Sequence, residues 1–446
     1  MKCIEDKIPF ELPEGWEWTR LQAICEPITD GTHKTPTYSD EGFIFLSSKN
    51  VTSGHIDWDN IMYIPESLHN ELYARLAPQK NDILLAKNGT TGVAAIVDRD
   101  CIFDIYVSLA LLRIIGYIIS PEYLLSTIAS STIQNYFNSS LKGIGVPNLH
   151  LEHIRTTLIP VAPINEQYRI ATKLEQLLSF ADKIESDKIF LLTTIDQTKA
   201  KILDLAIRGK LVPQDPNDEP ASILLERIRA EKEELIRQGR IKRDKKESVI
   251  FKGEDNSYYE KIGEKVSEYD IDELPYGWSI GSFSQVNMFI SETVDPSNST
   301  DEMFELYSVP NFDVGVPEII IGKEIGSSKQ SVCENDVLVC KINPRINRVW
   351  ITGHITSYRI LGSSEWIVFR NNMLFAPYLR HYFSSPHFRK LMLSNVSGVG
   401  GSLMRAQPES VKKYPVLIPP YQEQIRIAER IDELFALLVA IEKSLM

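Results

Sequence analysis

The chain of 446 residues is poor in cysteine and has no long apolar run. Its five cysteines form no C-x-x-C pair and no Cys/His cluster with zinc spacing, which predicts reduced thiols and no metal site. The longest apolar run, 109–119, is interrupted by Arg113 and Gly116 and is too short to span a bilayer. The N-terminus, MKCIEDKIPF, lacks the apolar segment of a signal peptide. We therefore expect a cytoplasmic protein without membrane contact.

The sequence also lacks a coherent catalytic motif. Gly89-Thr90-Thr91-Gly92 and Gly322-Lys323 do not have the spacing of a P-loop. Ile418-Pro419-Pro420-Tyr421 is similar to the Asn/Asp-Pro-Pro-Tyr loop that holds the target amino group in adenine methyltransferases. However, Ile418 offers no acceptor for that group, and no glycine-rich AdoMet loop accompanies it. We therefore interpret this segment as the boundary of a helix and expect a protein without catalytic residues.

Composition and charge indicate a folded protein with an uneven charge distribution. Apolar residues make up 43% and charged residues 24%, and the length exceeds that of one ordinary core, which predicts two or more domains. The net charge of −12 argues against nucleic-acid binding. Residues 341–413, however, contain 11 basic and 2 acidic side chains, against 2 and 13 in 270–340. Residues 1–160, with 12 basic and 19 acidic side chains, have no comparable basic stretch.

Three motifs occur twice in the same order, at offsets of 254 to 262 residues, which indicates an internal duplication. The pairs are Leu12-Pro13-Glu14-Gly15-Trp16 with Leu274-Pro275-Tyr276-Gly277-Trp278, Asn81-Asp82-Ile83-Leu84 with Asn335-Asp336-Val337-Leu338, and Glu166-Gln167-Tyr168-Arg169-Ile170-Ala171 with Glu423-Gln424-Ile425-Arg426-Ile427-Ala428. Each unit has a globular part, a proline-marked boundary and then a helix. Short strands such as 42–46, 82–87 and 108–114 predict an α+β fold for the globular parts.

Apolar residues at alternating spacings of four and three follow both proline boundaries and are typical of a coiled-coil seam. We expect the two helices to pair antiparallel, although two unrelated surface helices would show similar patterns. The predicted helix–helix interface consists of Ile170, Leu174, Leu177, Ile184, Leu191, Ile427, Ile431, Leu434, Leu438 and Ile441.

Together the motifs resemble the specificity subunits of type I restriction-modification systems. The resemblance covers nearly the whole chain and rests on Leu-Pro-x-Gly-Trp opening each half and on the Pro-x-x-Glu-Gln helix starts. It also rests on Asn81-Asp82-Ile83-Leu84, Asp30-Gly31-Thr32-His33-Lys34-Thr35-Pro36 and Gly209-Lys210-Leu211-Val212-Pro213-Gln214-Asp215. The C-terminal helix, at 24 residues, is shorter than is common in the family, so we expect only part of the central helix to be paired.

The resemblance implies two α+β target-recognition domains in tandem repeat, separated by long helices that form an antiparallel coiled coil with pseudo-two-fold symmetry. We assign the first domain to 1–160 and a central helical region to 161–245, with helices at 164–208 and 220–239. A linker at 246–270, the second domain at 271–420 and a C-terminal helix at 421–446, paired with the central helix, complete the prediction.

The resemblance further implies that the chain reads a bipartite, asymmetric DNA target and scaffolds its partners. The expected partners are double-stranded DNA, two methyltransferase subunits and motor-nuclease restriction subunits. AdoMet, ATP and Mg²⁺ are then expected in the partners, with no cofactor in this chain. A non-catalytic adaptor that binds proteins remains the leading alternative, because the first half is acidic, and a stand-alone nuclease or methylase is a further one.

Loop positions with polar side chains are the candidates for DNA contact. Arg345 and Arg348 flank Asn347 in a turn after an apolar strand, where arginine and asparagine can read guanine and adenine edges. His33 has no catalytic partner in the sequence, so contact with DNA and a structural role both remain open. Trp16 and Trp278 are interpreted as packing residues rather than base-stacking platforms. The predicted DNA-binding residues are His33, Lys34, Lys49, Asn50, Lys87, Asn88, Lys341, Asn343, Arg345, Asn347, Arg348 and Arg405.

Overall fold

The structure, a computed structural model, describes residues 8–51, 54–141, 147–243, 247–271, 273–397 and 404–445. Cys3, most of the N-terminal segment considered above and part of the charged run 240–247 lie outside these ranges. The chain divides into two compact units, Met1–Ser186 and Asp187–Met446, and the division falls inside one helix. Within the described ranges, no helix has the length and apolar character needed to cross a membrane.

Unit 1 is built mainly of short strands followed by helices. The elements are β1 (Glu17–Arg20), β2 (Cys25–Asp30), β3 (Phe43–Leu46), β4 (Met62–Ile64), α1 (Glu66–Arg75), β5 (Ile83–Ala86), β6 (Ala94–Ile96), β7 (Phe103–Ile105), β8 (Leu109–Ile114), α2 (Pro121–Ala129), α3 (Ser131–Ser139), α4 (Leu151–Thr156), β9 (Leu158–Val161) and α5 (Ile164–Ile207), which continues into unit 2. The strands expected at 42–46, 82–87 and 108–114 are observed as β3, β5 and β8.

The strands of unit 1 form two larger sheets and one pair. An antiparallel sheet has the order β2-β8-β5-β6, a second sheet has the order β4-β3-β7 with β3 and β7 parallel, and β1 pairs with β9. Every residue of β5 is buried, because residues from the two hydrophobic clusters of this unit cover both of its faces. A strand covered on both faces shows a continuous apolar run rather than an alternation, as Ile83–Ala86 does.

Unit 2 contains the end of α5 and the rest of the chain. Its further elements are α6 (Ala221–Arg237), β10 (Ser248–Lys252), β11 (Tyr258–Ile262), β12 (Lys265–Glu268), β13 (Ser279–Ser282), α7 (Phe283–Val286), β14 (Thr293–Val294), β15 (Met303–Tyr307), β16 (Glu318–Ile321), β17 (Lys329–Ser331), β18 (Val337–Cys340), β19 (Val349–Ile351), β20 (Arg359–Gly362), β21 (Trp366–Phe369), α8 (Ala376–Ser384), α9 (Pro386–Ser394), β22 (Val396–Ser397), β23 (Arg405–Ala406), α10 (Pro408–Val411), β24 (Pro415–Ile418) and α11 (Tyr421–Ser444).

Most of the strand pairing inside unit 2 matches that of unit 1, although no strand in the described part of unit 2 pairs with β21 as β2 pairs with β8. β19-β18-β21 corresponds to β6-β5-β8, β20-β15-β16 to β7-β3-β4, and β13-β24 to β1-β9. The central pair of the second sheet is parallel in both units. Unit 2 adds β14 and β17 at the far edge of β20. Asn81 and Asn335, which open one of the duplicated motifs, both adopt a left-handed backbone conformation before the central strand. The duplicated motifs therefore occupy corresponding places in the two units.

The segment 246–270, which we expected to be a linker, folds instead as an antiparallel sheet of order β10-β11-β12. It is fixed to the remainder of unit 2, because Ser282 Oγ donates to Ser248 O and the Ile250 amide donates to Gln285 Oε1 at 3.1 Å. The segment resembles a linker in composition because β12 is exposed along its whole length and carries mostly polar side chains. An antiparallel sheet with one solvated side accommodates such residues.

The long helices α5 and α11 are observed close to their predicted bounds, but the expected seam is only partly buried. Within unit 2, Ile427 and Ile431 share a hydrophobic cluster with Ile202, Leu203, Ala206 and Ile207 of α5, and Leu434 and Leu438 pack against it. Lys199 Nζ donates to Glu442 Oε2 at 3.0 Å.

The remaining predicted seam positions are mostly exposed. Ile170 packs against the core of unit 1. Leu174, Leu177, Ile184, Leu191 and Ile441 are 37 to 54% exposed. Glu442, near the end of α11, contacts Lys199 of α5. Leu191 lies two turns before Lys199 on α5 and is not covered by α11, so its side chain is exposed. The predicted interface is therefore observed at Ile427, Ile431, Leu434 and Leu438 of α11, and the other predicted positions are not buried between the helices.

Candidate nucleic-acid interface

The predicted DNA-binding residues of unit 1 lie on loops at one end of its sheets. β2 and β5 run in the same direction, because both are antiparallel to β8, so their ends lie together. The segments that follow β2, β3 and β5 contact one another and the connection from β7 to β8. The joining hydrogen bonds are Val107 N to Thr32 O (3.0 Å), Tyr106 N to Leu46 O (2.8 Å), Ser48 N to Ser108 Oγ (2.9 Å) and Lys87 N to Ser108 O (2.8 Å).

Gly31 permits the closest of these approaches. A Cβ atom built on Gly31 would lie 1.9 Å from the carbonyl oxygen of Ile105, a distance that real side chains do not adopt. The Asp30-Gly31-Thr32-His33 motif therefore contains a glycine because the end of β2 passes directly over the end of β7. This contact holds the following loop, with His33 and Lys34, against the sheet.

Two residues predicted to contact DNA are instead buried inside this loop cluster. Lys87 is 5% exposed, and its Nζ donates to Asp30 Oδ2. Asn50 is also 5% exposed; its Oδ1 accepts from the Ser47 amide at 2.9 Å and its Nδ2 donates to Asn60 O at 3.1 Å. Both side chains satisfy their polar groups internally, as buried polar groups must. Their prediction as contact residues is wrong for this conformation, because a lysine or asparagine after a strand can equally well turn inward.

Other predicted residues of unit 1 face solvent. The His33 side chain is 71% exposed and its Nε2 lies 3.4 Å from Asp30 Oδ1. Lys34 and Lys49 are exposed as well. Asn88 is half-buried, and its backbone forms an isolated antiparallel β-bridge with Asn148. The outer surface of the cluster therefore presents His33, Lys34 and Lys49.

In unit 2 the corresponding loop, 341–348, connects β18 to β19. Asn343 and Asn347 have positive φ angles of 47° and 58°, which asparagine tolerates better than most residues, and they bracket a tight turn. Arg345 is exposed in this turn. Arg348 points inward: its side chain is 16% exposed and lies 3.8 Å from Asp313 Oδ2. Arg345 therefore faces solvent and Arg348 faces the protein interior, although the sequence analysis predicted both as DNA contacts.

The side chains that flank this turn hold internal partners. Lys341 Nζ donates to Ser364 O at 2.7 Å, and Asn347 Nδ2 donates to Ser384 O at 2.8 Å. Arg405 is 53% exposed and pairs with Glu365 at 3.1 Å. Asn343 is half-buried, and its Oδ1 has no hydrogen-bond partner among the described residues.

Internal ion pairs neutralise much of the basic stretch 341–413. Arg359 meets Glu292 (3.2 Å), Arg370 meets Asp336 (2.6 Å) and Arg380 meets Asp432 (2.7 Å), all from other parts of unit 2. Arg405 pairs with Glu365 (3.1 Å), which belongs to the stretch itself. Arg345, Arg389, Lys390 and Lys413 are exposed basic residues of the same stretch. The net charge of a sequence segment therefore overstated the positive surface it forms.

The sequence reasoning missed a buried ion pair that is present in both units. Arg113 donates from Nε and Nη2 to the two oxygens of Asp82 at 3.0 and 2.7 Å, and Arg370 does the same to Asp336 at 2.7 and 2.6 Å. Each aspartate also accepts a backbone amide of the turn before its strand, at 2.8 Å. The repeated Asn-Asp motif could have predicted this pair. An aspartate that occurs in both units just before a buried strand needs a positively charged partner in each of them.

A second duplicated arrangement joins each globular part to its helix. Trp16 Nε1 donates to Glu166 Oε2 at 3.3 Å, and Gln167 Oε1 accepts from the Ser120 amide at 2.9 Å. In unit 2, Gln424 Oε1 likewise accepts from the Phe375 amide at 2.9 Å. Leu-Pro-x-Gly-Trp and Pro-x-x-Glu-Gln thus meet in space as one junction. This supports a packing role for the tryptophans.

At the junction of unit 2, Trp278 is 6% exposed and Glu423 is 1% exposed. Neither oxygen of the Glu423 carboxyl has a hydrogen-bond partner among the described residues. Burial raises the pKa of Glu423 to about 7, against the opposing influence of the Trp278 indole and the Arg426 guanidinium. The segment Ile418-Pro419-Pro420-Tyr421 forms the same junction, since β24 ends at Ile418 and α11 begins at Tyr421.

Comparison with known proteins agrees with this architecture. Residues 13–193 match the family model "Type I restriction modification DNA specificity domain". The EcoEI type I restriction enzyme specificity subunit of Escherichia coli is 24% identical over 98% of this chain and 80% of its own length. The EcoAI specificity subunit, also of Escherichia coli, is 32% identical over 61% of this chain and 44% of its own length. The chain is therefore similar to type I specificity subunits over nearly its whole length.

Solved structures show that the fold of the chain is also similar to that of known proteins. The HsdS subunit from Thermoanaerobacter tengcongensis aligns with a TM-score of 0.51 over 98% of this chain and 93% of its own, at 17% identity. A chain from a study of complex assembly and conformational transition of the type I R-M system aligns with a TM-score of 0.55, over 98% and 94% of the two chains. In the described part of the chain, no group of three or more His, Cys, Asp or Glu side chains is arranged to hold a metal ion.

Proposed function

We propose that this chain is the DNA sequence-recognition subunit of a type I restriction-modification complex and reads a bipartite, asymmetric target. The observation that carries the proposal is the presence of two units with largely the same strand pairing and with polar loops at the same end of the central strand, in a chain similar to type I specificity subunits. Unit 1 presents His33, Lys34 and Lys49 on the loops after β2 and β3, and unit 2 presents Arg345 on the loop after β18. Different side chains at the same end of the two central strands suit two half-sites of different sequence.

The helices form the scaffold in this proposal. α5 and α11 pair antiparallel over the segment that contains Lys199, Glu442 and the shared apolar cluster. Each helix leaves its globular part at a junction where a glutamine, Gln167 or Gln424, accepts a backbone amide of that part. Two methyltransferase subunits bind the helical region, and restriction subunits join through them. AdoMet, ATP and Mg²⁺ then act in the partners, and this chain supplies target selection without catalysis.

The test is a reconstitution of the chain with its methyltransferase partner and a library of DNA duplexes. We expect binding that weakens steeply as salt rises, because phosphate contacts release counterions. We also expect methylation confined to one split sequence. Formation of a stable complex that retains no DNA at low salt would contradict the proposal and would favour a protein-binding adaptor.

A further inference from the structure

A buried ion pair lies directly beneath the candidate DNA-reading surface of unit 1. Lys87, immediately after β5, and Asp30, the last residue of β2, are 5% and 7% exposed, and Lys87 Nζ donates to Asp30 Oδ2. The other carboxylate oxygen of Asp30 lies 3.4 Å from Nε2 of the exposed His33. The pair therefore contacts the loop surface from below while itself being shielded from solvent.

The backbone of the same two residues joins the surrounding loops. The amide of Lys87 donates to Ser108 O at 2.8 Å, and its carbonyl accepts from the Leu149 amide at 2.9 Å. Ser108 Oγ in turn accepts a hydrogen bond from the Ser48 amide at 2.9 Å. Arg75 Nη2 donates to the carbonyl oxygen of Asp30 at 2.8 Å. Lys87 and Asp30 thus connect the loops that carry His33, Lys34 and Lys49 to the rigid strands.

Unit 2 has no equivalent pair at its matched lysine. Lys341 follows β18 as Lys87 follows β5, but its side chain is 23% exposed, its Nζ donates to Ser364 O, and the Glu365 carboxylate lies 3.9 Å away. Among the described residues, the buried lysine–aspartate contact after the central strand therefore occurs in unit 1 and not in unit 2, whereas the Asp–Arg pair at the opposite end of that strand occurs in both units.

We propose that Lys87 and Asp30 are positioning residues for DNA recognition by unit 1: their buried ion pair fixes the loops that present His33, Lys34 and Lys49, and so determines base preference in one half-site. The inference rests on the proposed function and deepens it. Neither side chain reaches the surface, so the pair acts through the loops that it holds. A salt bridge of this kind is costly to break, because the remaining partner is left buried and unpaired.

The structure supplies a matched control within the same unit. Asp82 and Arg113 form a second ion pair at the other end of β5, with Asp82 3% and Arg113 27% exposed at their side chains. Arg113 also donates to Ala77 O, away from the loop cluster. Lys87→Met and Arg113→Met therefore each leave a buried aspartate without its cation, but only the first does so beneath the predicted reading loops.

The experiment compares the reconstituted methyltransferase complexes of wild type, Lys87→Met and Arg113→Met on a library with both half-sites randomised, at a temperature where all three remain folded. We expect both variants to melt at lower temperature. Lys87→Met should reduce discrimination between preferred and other bases by about tenfold in one half-site only, and Arg113→Met should leave both half-sites unchanged.

Asp30→Glu provides a second measurement should Lys87→Met fail to fold. This substitution keeps both charges of the ion pair and makes the acidic side chain longer by one methylene group. It too should alter preference in one half-site only. Unchanged preference in Lys87→Met or Asp30→Glu, or equal changes in Arg113→Met, would overturn the inference. A wild-type complex without any split preference would instead overturn the proposed function, so the two failures are distinguishable.

Discussion

Glu423 combines nearly complete burial with a carboxyl that lacks a hydrogen-bond partner among the described residues. Its pKa is raised from 4.5 to about 7, so the folded chain holds a proton that the unfolded chain releases between these values. For a raised carboxyl pKa, stability is lost as pH increases through this window, and the whole cost is present above about pH 7.

Glu423→Gln imitates the protonated carboxyl and should remove this cost. We expect the free energy of unfolding of unit 2 to rise by about 1–3 kcal/mol near pH 8 and to change little near pH 4.5. Urea unfolding at both pH values measures the effect. Glu429→Gln, on the exposed side of the same helix, is the control. A gain that is equal at both pH values would show that the proton is not responsible.

Arg345 is the exposed arginine of the turn after β18, and we propose it as a residue of unit 2 that contacts DNA. If its guanidinium reads a guanine edge, Arg345→Ala should cost roughly 1–3 kcal/mol and relax one half-site. If it binds a phosphate, affinity should fall for every sequence and the dependence on salt should become shallower. Fluorescence anisotropy with the assembled complex distinguishes these results.

The control for this measurement is Arg389→Ala, which removes the same charge from the exposed face of α9. We expect a smaller effect from it on both affinity and salt dependence. Identical behaviour of the two variants, with unchanged base preference, would remove the turn from the interface and leave only the overall charge of unit 2.

At the scale of the elements, α11 has one face packed against an apolar cluster and another face exposed to solvent. Leu434 and Leu438 pack against the cluster formed by Ile427, Ile431 and the end of α5, whereas Leu437 is 58% exposed. Introducing a charge into an apolar contact is costly because the ion loses its hydration without gaining a partner.

Leu434→Asp combined with Leu438→Asp should therefore lower the free energy of unfolding by several kcal/mol. It should also weaken binding of the methyltransferase subunit, if the helical region is its docking site. Leu437→Asp, with the same chemical change on the exposed face, should leave stability nearly unaltered. Urea unfolding and size-exclusion chromatography with the partner measure the two effects, and equal destabilisation by all three substitutions would contradict the observed helix face.

For the whole molecule, the proposed division of labour predicts that the purified chain alone neither methylates nor cleaves DNA when given AdoMet, ATP and Mg²⁺. Addition of methyltransferase subunits should restore methylation, because target selection and chemistry then occur in one complex. Transfer of labelled methyl groups to DNA measures the first reaction and gel electrophoresis the second. Turnover that copurifies with this chain after the partner genes are deleted would contradict the prediction.

The amino-acid sequence by itself determined the repeated plan of this protein. The three duplicated motifs, the fully apolar runs of β5 and β18 and the proline-marked starts of α5 and α11 are local patterns, and local patterns report strand burial and helix boundaries. For the same reason the apolar spacing identified the packed face of α11 at Ile427, Ile431, Leu434 and Leu438.

Only the tertiary structure decided which side chains meet. Lys87 turns inward because the Asp30 carboxylate at the end of a distant strand receives it, and Asn50 turns inward because backbone groups of its own loop, at Ser47 and Asn60, receive it. Several arginines after β18 are neutralised by carboxylates from elsewhere in unit 2. The polar segment 246–270 becomes a sheet because the Ser248 carbonyl and the Ile250 amide find hydrogen-bond partners on the body of unit 2. Ion pairing and strand pairing depend on separations in space that hydrophobic periodicity does not encode, which is why the sequence predicted the location of the candidate site but not the inward or outward direction of its residues.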